Sequence, residues 1–153
     1  MKNLKSRALM IIDDDSDDRT IFAQSVSKVN ADLVCMQASN GSDGIQKLLQ
    51  SSTLPDYVFV DVNMPNMTGF EVLTKIRGNE KLKDLKVIMY TTSNQRSTIE
   101  TAKNLGADGY FTKPEEVGTL VSYLSDLVRS QGTRPFIEVG ILAILSTAIS
   151  FFN

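Results

Sequence analysis

The chain has 153 residues, of which 42% are hydrophobic and 22% charged, a balance typical of a soluble globular protein with one core. The formal net charge of −2 argues against a nucleic-acid-binding surface, because such a surface is normally basic. The chain has no histidine, which excludes imidazole as a catalytic base, a metal ligand or a phosphoryl carrier. A single cysteine, Cys35, excludes a disulfide within one chain and indicates a reducing, cytoplasmic setting.

Five apolar runs alternate with five one-sided helical patterns along the chain. The runs predict strands at 8–12, 33–36, 57–60, 87–90 and 109–112. The helical patterns lie between and after them, at 21–29, 41–50, 70–76, 99–105 and 117–128. This alternation predicts an α/β fold, in which a doubly wound parallel sheet carries helices on both faces.

Polar residues stand where several of these strands end. Asp13 and Asp14 follow the first strand, Asp61 follows the third, the fourth ends at Thr91 and the fifth leads into Lys113. In a five-stranded sheet of order 2-1-3-4-5, ligands bind beyond the carboxyl ends, where the first and third strands are neighbours. We therefore expect three carboxylates, a hydroxyl and an ammonium group to meet at one edge of the sheet.

A second acidic stretch, Asp15 to Asp18, continues from the first strand into the following helix. Asp and Ser are favoured at the N-cap and in the first turn, where they complement the helix dipole. We interpret this stretch as the start of a helix. That interpretation does not account for Asp13 and Asp14, which belong to the strand end.

The residue types in the expected cluster indicate which ligands it would bind. Three carboxylates repel one another unless a cation joins them, and an all-oxygen ligand set suits Mg²⁺. Lys113 and Thr91 would bind an anion beside that metal. The metal, the lysine and the hydroxyl together are therefore suited to binding a phosphoryl group. Asp61, on the turn after its strand, is then the natural nucleophile and would form an aspartyl phosphate.

Four segments, taken together and in this order, resemble the receiver domain of two-component response regulators, especially its stand-alone, chemotaxis-regulator-like members. They are IIDDD, VFVDVNMPNMTG, VIMYTTS and GADGYFTKP, and the resemblance covers about residues 5 to 130. It implies a flavodoxin-like, five-stranded parallel sheet of order 2-1-3-4-5 with helices on both faces.

The resemblance also implies how the acids act. Asp61 accepts the phosphoryl group. Asp13, Asp14 and Asp61 bind Mg²⁺ together with the backbone carbonyl of Asn63.

Other positions take roles from the same resemblance. Thr91 and Lys113 contact the phosphoryl oxygens, and Thr91 draws its loop inward after transfer. Tyr110 occupies the position of an aromatic switch that rotates with Thr91, although a strand aromatic of this kind can also be plain packing. Pro114 is implied to follow a cis peptide bond, and Ser93 flanks the site together with Asn63.

The implied function is that of a signalling phospho-acceptor, not an enzyme beyond its own phosphorylation and dephosphorylation. A sensor histidine kinase or a histidine phosphotransfer protein supplies the phosphoryl group, and the signal passes to a downstream protein by contact, without nucleic acid. The alternative is a Mg²⁺-dependent phosphatase or phosphotransferase with an aspartyl nucleophile. Such enzymes usually carry a second acid two residues after the nucleophile, where this chain has Asn63.

The end of the chain departs from the receiver pattern. We assign residues 1–132 to the receiver domain and 133–153 to an apolar, helical C-terminal tail, with no output domain. We favour a helix that docks on the domain or forms a homodimer. Membrane attachment is the alternative, but the uncharged run 139–152 is shorter than the roughly 20 residues that span a bilayer.

Overall fold

The computed structural model describes residues 8–129 and 137–139. These residues form one parallel sheet of order β2-β1-β3-β4-β5-β6, with helices between successive strands up to β5 and after it. The strands are β1 (Ala8–Ile12), β2 (Val34–Ala38), β3 (Tyr57–Val60), β4 (Lys86–Thr91), β5 (Gly109–Thr112) and β6 (Ile137–Val139). The helices are α1 (Ser16–Val29), α2 (Gly41–Gln50), α3 (Gly69–Arg77), α4 (Arg96–Asn104) and α5 (Val117–Arg129).

The sheet is buried on both faces because helices cover each of them. Successive residues of a strand point to opposite faces. On β1, Met10 and Ile12 pack into the core beneath α2, α3 and α4, whereas Leu9 and Ile11 pack beneath α1 and α5. This two-sided burial explains why the strands are continuous apolar runs and not alternating patterns.

Two side-chain caps set where helices near the carboxyl edge of the sheet begin. The Asp15 carboxylate accepts hydrogen bonds from the backbone N–H groups of Asp17 and Asp18 and so caps α1. Thr68 and Glu71 form a reciprocal capping box at the start of α3. Both helices therefore start at fixed points beside the strand ends.

The predicted fold class and strand order are confirmed, with one correction in the tail. The sheet has six strands instead of five, because residues 137–139 pair in parallel with residues 109–111 of β5. We expected these residues to be helical. The outer edge of β5 offers unpaired backbone groups, and an Ile-Glu-Val segment, with two β-branched residues, suits an extended pairing there. The remainder of the predicted tail helix lies outside the described residues.

Membrane attachment was the alternative for the tail. Among the helices of residues 8–129, none combines the length and apolar character that crossing a membrane requires.

Candidate functional site

Two neighbouring strands deliver the central acids. Asp61 follows β3 and its backbone N–H donates to the carbonyl of Ile12 at 3.0 Å, so it lies beside Asp13 at the end of β1. Carboxylate oxygens of Asp13, Asp14 and Asp61 lie within 4.8 Å of one another. Asp13 and Asp61 are buried, whereas Asp14 is exposed. The cluster is therefore open to solvent on the side of Asp14.

Burial makes the two inner carboxylates costly to ionise. Desolvation raises the pKa of Asp13 above its ordinary value, although hydrogen bonds from Lys113 and from the backbone N–H of Asp15 oppose the shift. Desolvation likewise raises the pKa of Asp61, against the opposing charge of Lys113 and a 3.3 Å hydrogen bond from the backbone N–H of Asn63. A further cation at this point would stabilise both ionised groups.

Lys113 supplies the positive charge inside the cluster. Its Nζ donates to Asp13 Oδ2 at 2.7 Å, to Asp18 Oδ2 at 2.7 Å and to Asp61 Oδ2 at 3.4 Å. Burial alone would lower the pKa of this ammonium, but the bonds to Asp13 and Asp18 outweigh it and raise the pKa. Lys113 is therefore a permanent cation at the carboxyl end of β5.

Asp18 is the site residue that the sequence analysis missed. Its place in the first turn of α1 made it look like a helix-starting acid, but Asp15 supplies the cap and Asp18 binds Lys113 instead. Helical side chains lean toward the helix N-terminus, which here points to the strand ends. An acid three residues after the cap was the available signal.

Thr91 ends β4 with a hydroxyl that is buried beside the acids. Within the described residues its Oγ1 makes no hydrogen bond of ordinary distance and angle, although it lies close enough to Asp61 to help lower the pKa of that carboxyl. Buried polar atoms are nearly always hydrogen-bonded, so a free hydroxyl here is suited to an added group.

Tyr110 links β5 to the loop that follows Thr91. Its ring is fully buried, and its hydroxyl donates to the backbone carbonyl of Ser93 at 2.6 Å. Tyr110, the residue predicted as an aromatic switch, therefore contacts the loop that begins after Thr91.

The turn after Asp61 is tightly folded. Asn66 has a positive φ of 70°, which Asn tolerates better than most residues. Gly69 starts α3 so close to the strand that a Cβ there would collide with the carbonyl oxygen of Asp61. The position of Asp61 therefore depends on a glycine eight residues later.

The structure brings Asp13, Asp14, Asp61 and Lys113 together, as expected. Asn63 is exposed next to Asp61, and its backbone N–H donates to Asp61 Oδ1 at 3.3 Å. The peptide bond before Pro114 corrects our expectation, because residues 8–129 contain no cis peptide and the trans isomer is the one that X–Pro bonds favour.

The donor set fits a hard divalent cation. All three acids offer oxygen, which is the ligand that Mg²⁺ and Ca²⁺ take, and the exposed Asp14 leaves room for water or a substrate oxygen.

A family model, curated relatives and solved structures all match this chain to response regulators. The family model described as response regulator receiver domain matches residues 9–125, which include every site residue above. The nitrate/nitrite response regulator protein NarL of Escherichia coli K12 is 33% identical over 152 residues, covering 96% of this chain and 68% of NarL. The chemotaxis protein CheY-3 of Vibrio cholerae is 35% identical over 128 residues, covering 82% and 92%. The solved structure of Vibrio cholerae CheY4 matches with a TM-score of 0.70 at 27% identity, covering 80% and 98%.

Proposed function

Because this chain belongs to the response regulator receiver domain family of two-component signalling, we propose that Asp61 is its phosphoryl acceptor. One observation carries the proposal: the Asp13 and Asp14 carboxylates at the end of β1 and the Lys113 ammonium converge on Asp61. Asp13 accepts a 2.7 Å hydrogen bond from Lys113, and Asp14 is exposed. Asp61, whose bond to Lys113 is the longest, is the acid best placed to react.

Mg²⁺ is the proposed cofactor, held by Asp13, Asp14, Asp61 and the backbone carbonyl of Asn63. When bound, it offsets the negative charge of the acids and of the incoming phosphoryl group. An oxygen donor set without histidine or thiolate supports this choice over softer metals such as zinc or copper.

The proposed transfer uses a phosphohistidine of a partner protein as donor. An Asp61 oxygen attacks phosphorus, the P–O bond forms as the P–N bond breaks, and the electron pair of that bond stays on the imidazole. Lys113 then pairs with a phosphoryl oxygen, and the Thr91 hydroxyl donates to another. Thr91 gains in this way the partner that it lacks among the described residues.

The proposed partners are a sensor histidine kinase or a histidine phosphotransfer protein, and a downstream protein that reads the phosphorylated state. Tyr110 supports a readout on the face of α4, β5 and α5, because its hydroxyl already binds the loop after Thr91.

The chain acts as a signalling acceptor and catalyses only its own phosphorylation and dephosphorylation. Asn63, two residues after Asp61, disfavours the alternative of a phosphatase, which would need an acid there. A homodimer through the tail remains part of the proposal.

Labelling by acetyl phosphate tests the acceptor. We expect the wild-type chain to be labelled in Mg²⁺ and not in EDTA, and Asp61→Asn to abolish labelling. Asp84→Asn is the matched control, because Asp84 is exposed just before β4 and so lies at the opposite end of the sheet. Labelling that persists in Asp61→Asn would contradict the proposal.

A further inference from the structure

Lys113 is shared among three carboxylates, and the sharing is unequal. Its bonds to Asp13 and Asp18 are both 2.7 Å, whereas the contact to Asp61 is 3.4 Å. A lysine ammonium has only three N–H donors, and each has an acceptor here. A phosphoryl group on Asp61 can therefore gain Lys113 only by weakening a bond that already exists.

Asp18 is the partner that stands outside the metal-binding acids. It lies on α1, and its side chain is 34% exposed, so its bond with Lys113 is partly screened by solvent. Asp13, by comparison, is completely buried and lies beside Asp61. Of the two short bonds, the one to Asp18 is thus the easier to give up.

The start of α1 holds Asp18 in place. The Asp18 backbone N–H donates to Asp15 Oδ1 at 3.1 Å, and the neighbouring Arg19 guanidinium donates to the carbonyl of Asp13 at 2.7 Å. Asp18 is therefore tied to the turn after β1 and cannot follow Lys113 freely when the ammonium moves.

From this geometry we propose that Asp18 is a positioning residue: it holds the Lys113 ammonium away from Asp61 and thereby lowers the affinity of the site for a phosphoryl group. The inference rests on the proposed function, since it assigns Lys113 to the phosphoryl oxygens. Asp18 adds a negative charge that the phosphorylated site must also accommodate. Losing this carboxylate would weaken the hydrogen bond that holds one N–H donor of Lys113 and would remove that repulsion.

Beryllofluoride, a phosphoryl mimic, provides the test. Its binding at saturating Mg²⁺ can be followed by fluorine-19 NMR, in which the protein-bound signal is separate from the free one. We expect Asp18→Asn to bind it about two- to five-fold more tightly than wild type, the scale of one partly exposed ion pair. Asp18→Glu, which keeps the carboxylate, should return the affinity toward the wild-type value.

A neighbouring acid supplies the matched control. Asp17→Asn removes the same charge from the same turn of α1, at an exposed position. We expect its affinity to equal that of wild type, so a gain shared by both variants would reflect net charge and overturn the inference. The ammonium signal of Lys113 in proton–nitrogen spectra of the free protein should shift in Asp18→Asn and not in Asp17→Asn.

The outcomes separate the two proposals. Unchanged or weaker binding in Asp18→Asn, with normal binding in wild type, would overturn the positioning role alone. Absence of a bound signal in wild type would contradict the proposed function itself, and the positioning role with it. Because Asp15 caps α1, Asp18→Asn should fold, and Asp18→Ser is a second variant without the charge.

Discussion

Individual residues at this site are held at an electrostatic cost. Asp13 and Asp61 are buried carboxylates whose pKa values burial raises, and the Lys113 ammonium offsets only part of that cost. A carboxyl group whose pKa is higher folded than unfolded stabilises the fold when protonated. That contribution is present below the unfolded pKa and is lost as the pH rises through the folded pKa.

Asp61→Asn should therefore stabilise the metal-free protein at pH 7. The amide removes a buried charge and the repulsion with Asp13, while Lys113 keeps its two shorter bonds. We expect the free energy of unfolding in urea to rise by about 1 kcal/mol, within the usual range for one substitution. The gain over wild type should shrink as the pH falls through the raised pKa of Asp61. A loss of stability at pH 7 would contradict this electrostatic account, and Asp84→Asn should change little.

Two glycines allow the same substitution to be tested with opposite signs. Gly69→Ala should destabilise the fold by roughly 1–3 kcal/mol, because the new Cβ collides with the backbone at Asp61. Gly118→Ala, in α5 where a Cβ meets nothing within 4 Å, should stabilise by up to about 1 kcal/mol. Urea unfolding measures both. Equal effects would show that the approach of α3 to the Asp61 turn is not tight.

At the scale of secondary structure, β6 covers the outer edge of β5, which would otherwise be open to another strand. β5 carries Tyr110 and leads into Lys113, and its outer edge pairs with residues 137–139. An open strand edge invites pairing with another chain, so β6 protects this edge in the single molecule. A partner that reads the proposed α4, β5 and α5 face would therefore also meet residues 137–139 beside β5.

Removing the tail tests this pairing. In a chain lacking residues 134–153, we expect the β5 amides that face β6 to exchange with deuterium much faster, because they lose their acceptors. Amides of β1 and β3, which lie on the other side of β4, serve as the internal control. Unchanged exchange in β5 would contradict the pairing.

The solution mass of the same chain tests the proposed homodimer, since loss of the tail should then leave a monomer.

For the molecule as a whole, the proposed Mg²⁺ binding would be coupled to folding through the acids. A ligand that binds only the folded state stabilises it, by roughly 1.4 kcal/mol at about ten times its Kd. We expect Mg²⁺ to raise the melting temperature of wild type and Asp84→Asn. In Asp61→Asn and Asp14→Asn, which each lack one proposed ligand, most of that rise should be lost. An equal rise in all four proteins would place the metal elsewhere.

Much of this protein can be predicted from its sequence alone. The alternating pattern determines a doubly wound sheet, and a parallel sheet brings its strand ends to one edge. Asp13, Asp14, Asp61 and Lys113 could therefore be grouped before any distance was known. These features depend on local residue patterns and on one topological rule, and both can be read along the chain.

Only the tertiary structure decided the rest. The pairing of Asp18 with Lys113 spans 95 residues and depends on how α1 is rotated against the sheet, which its own sequence does not specify. Residues 137–139 form a strand because β5 offers them an edge, and an isolated apolar segment is equally suited to a helix. In both cases the deciding contact comes from a distant part of the chain, so local pattern predicts the acids of the site but not the partner that holds its lysine.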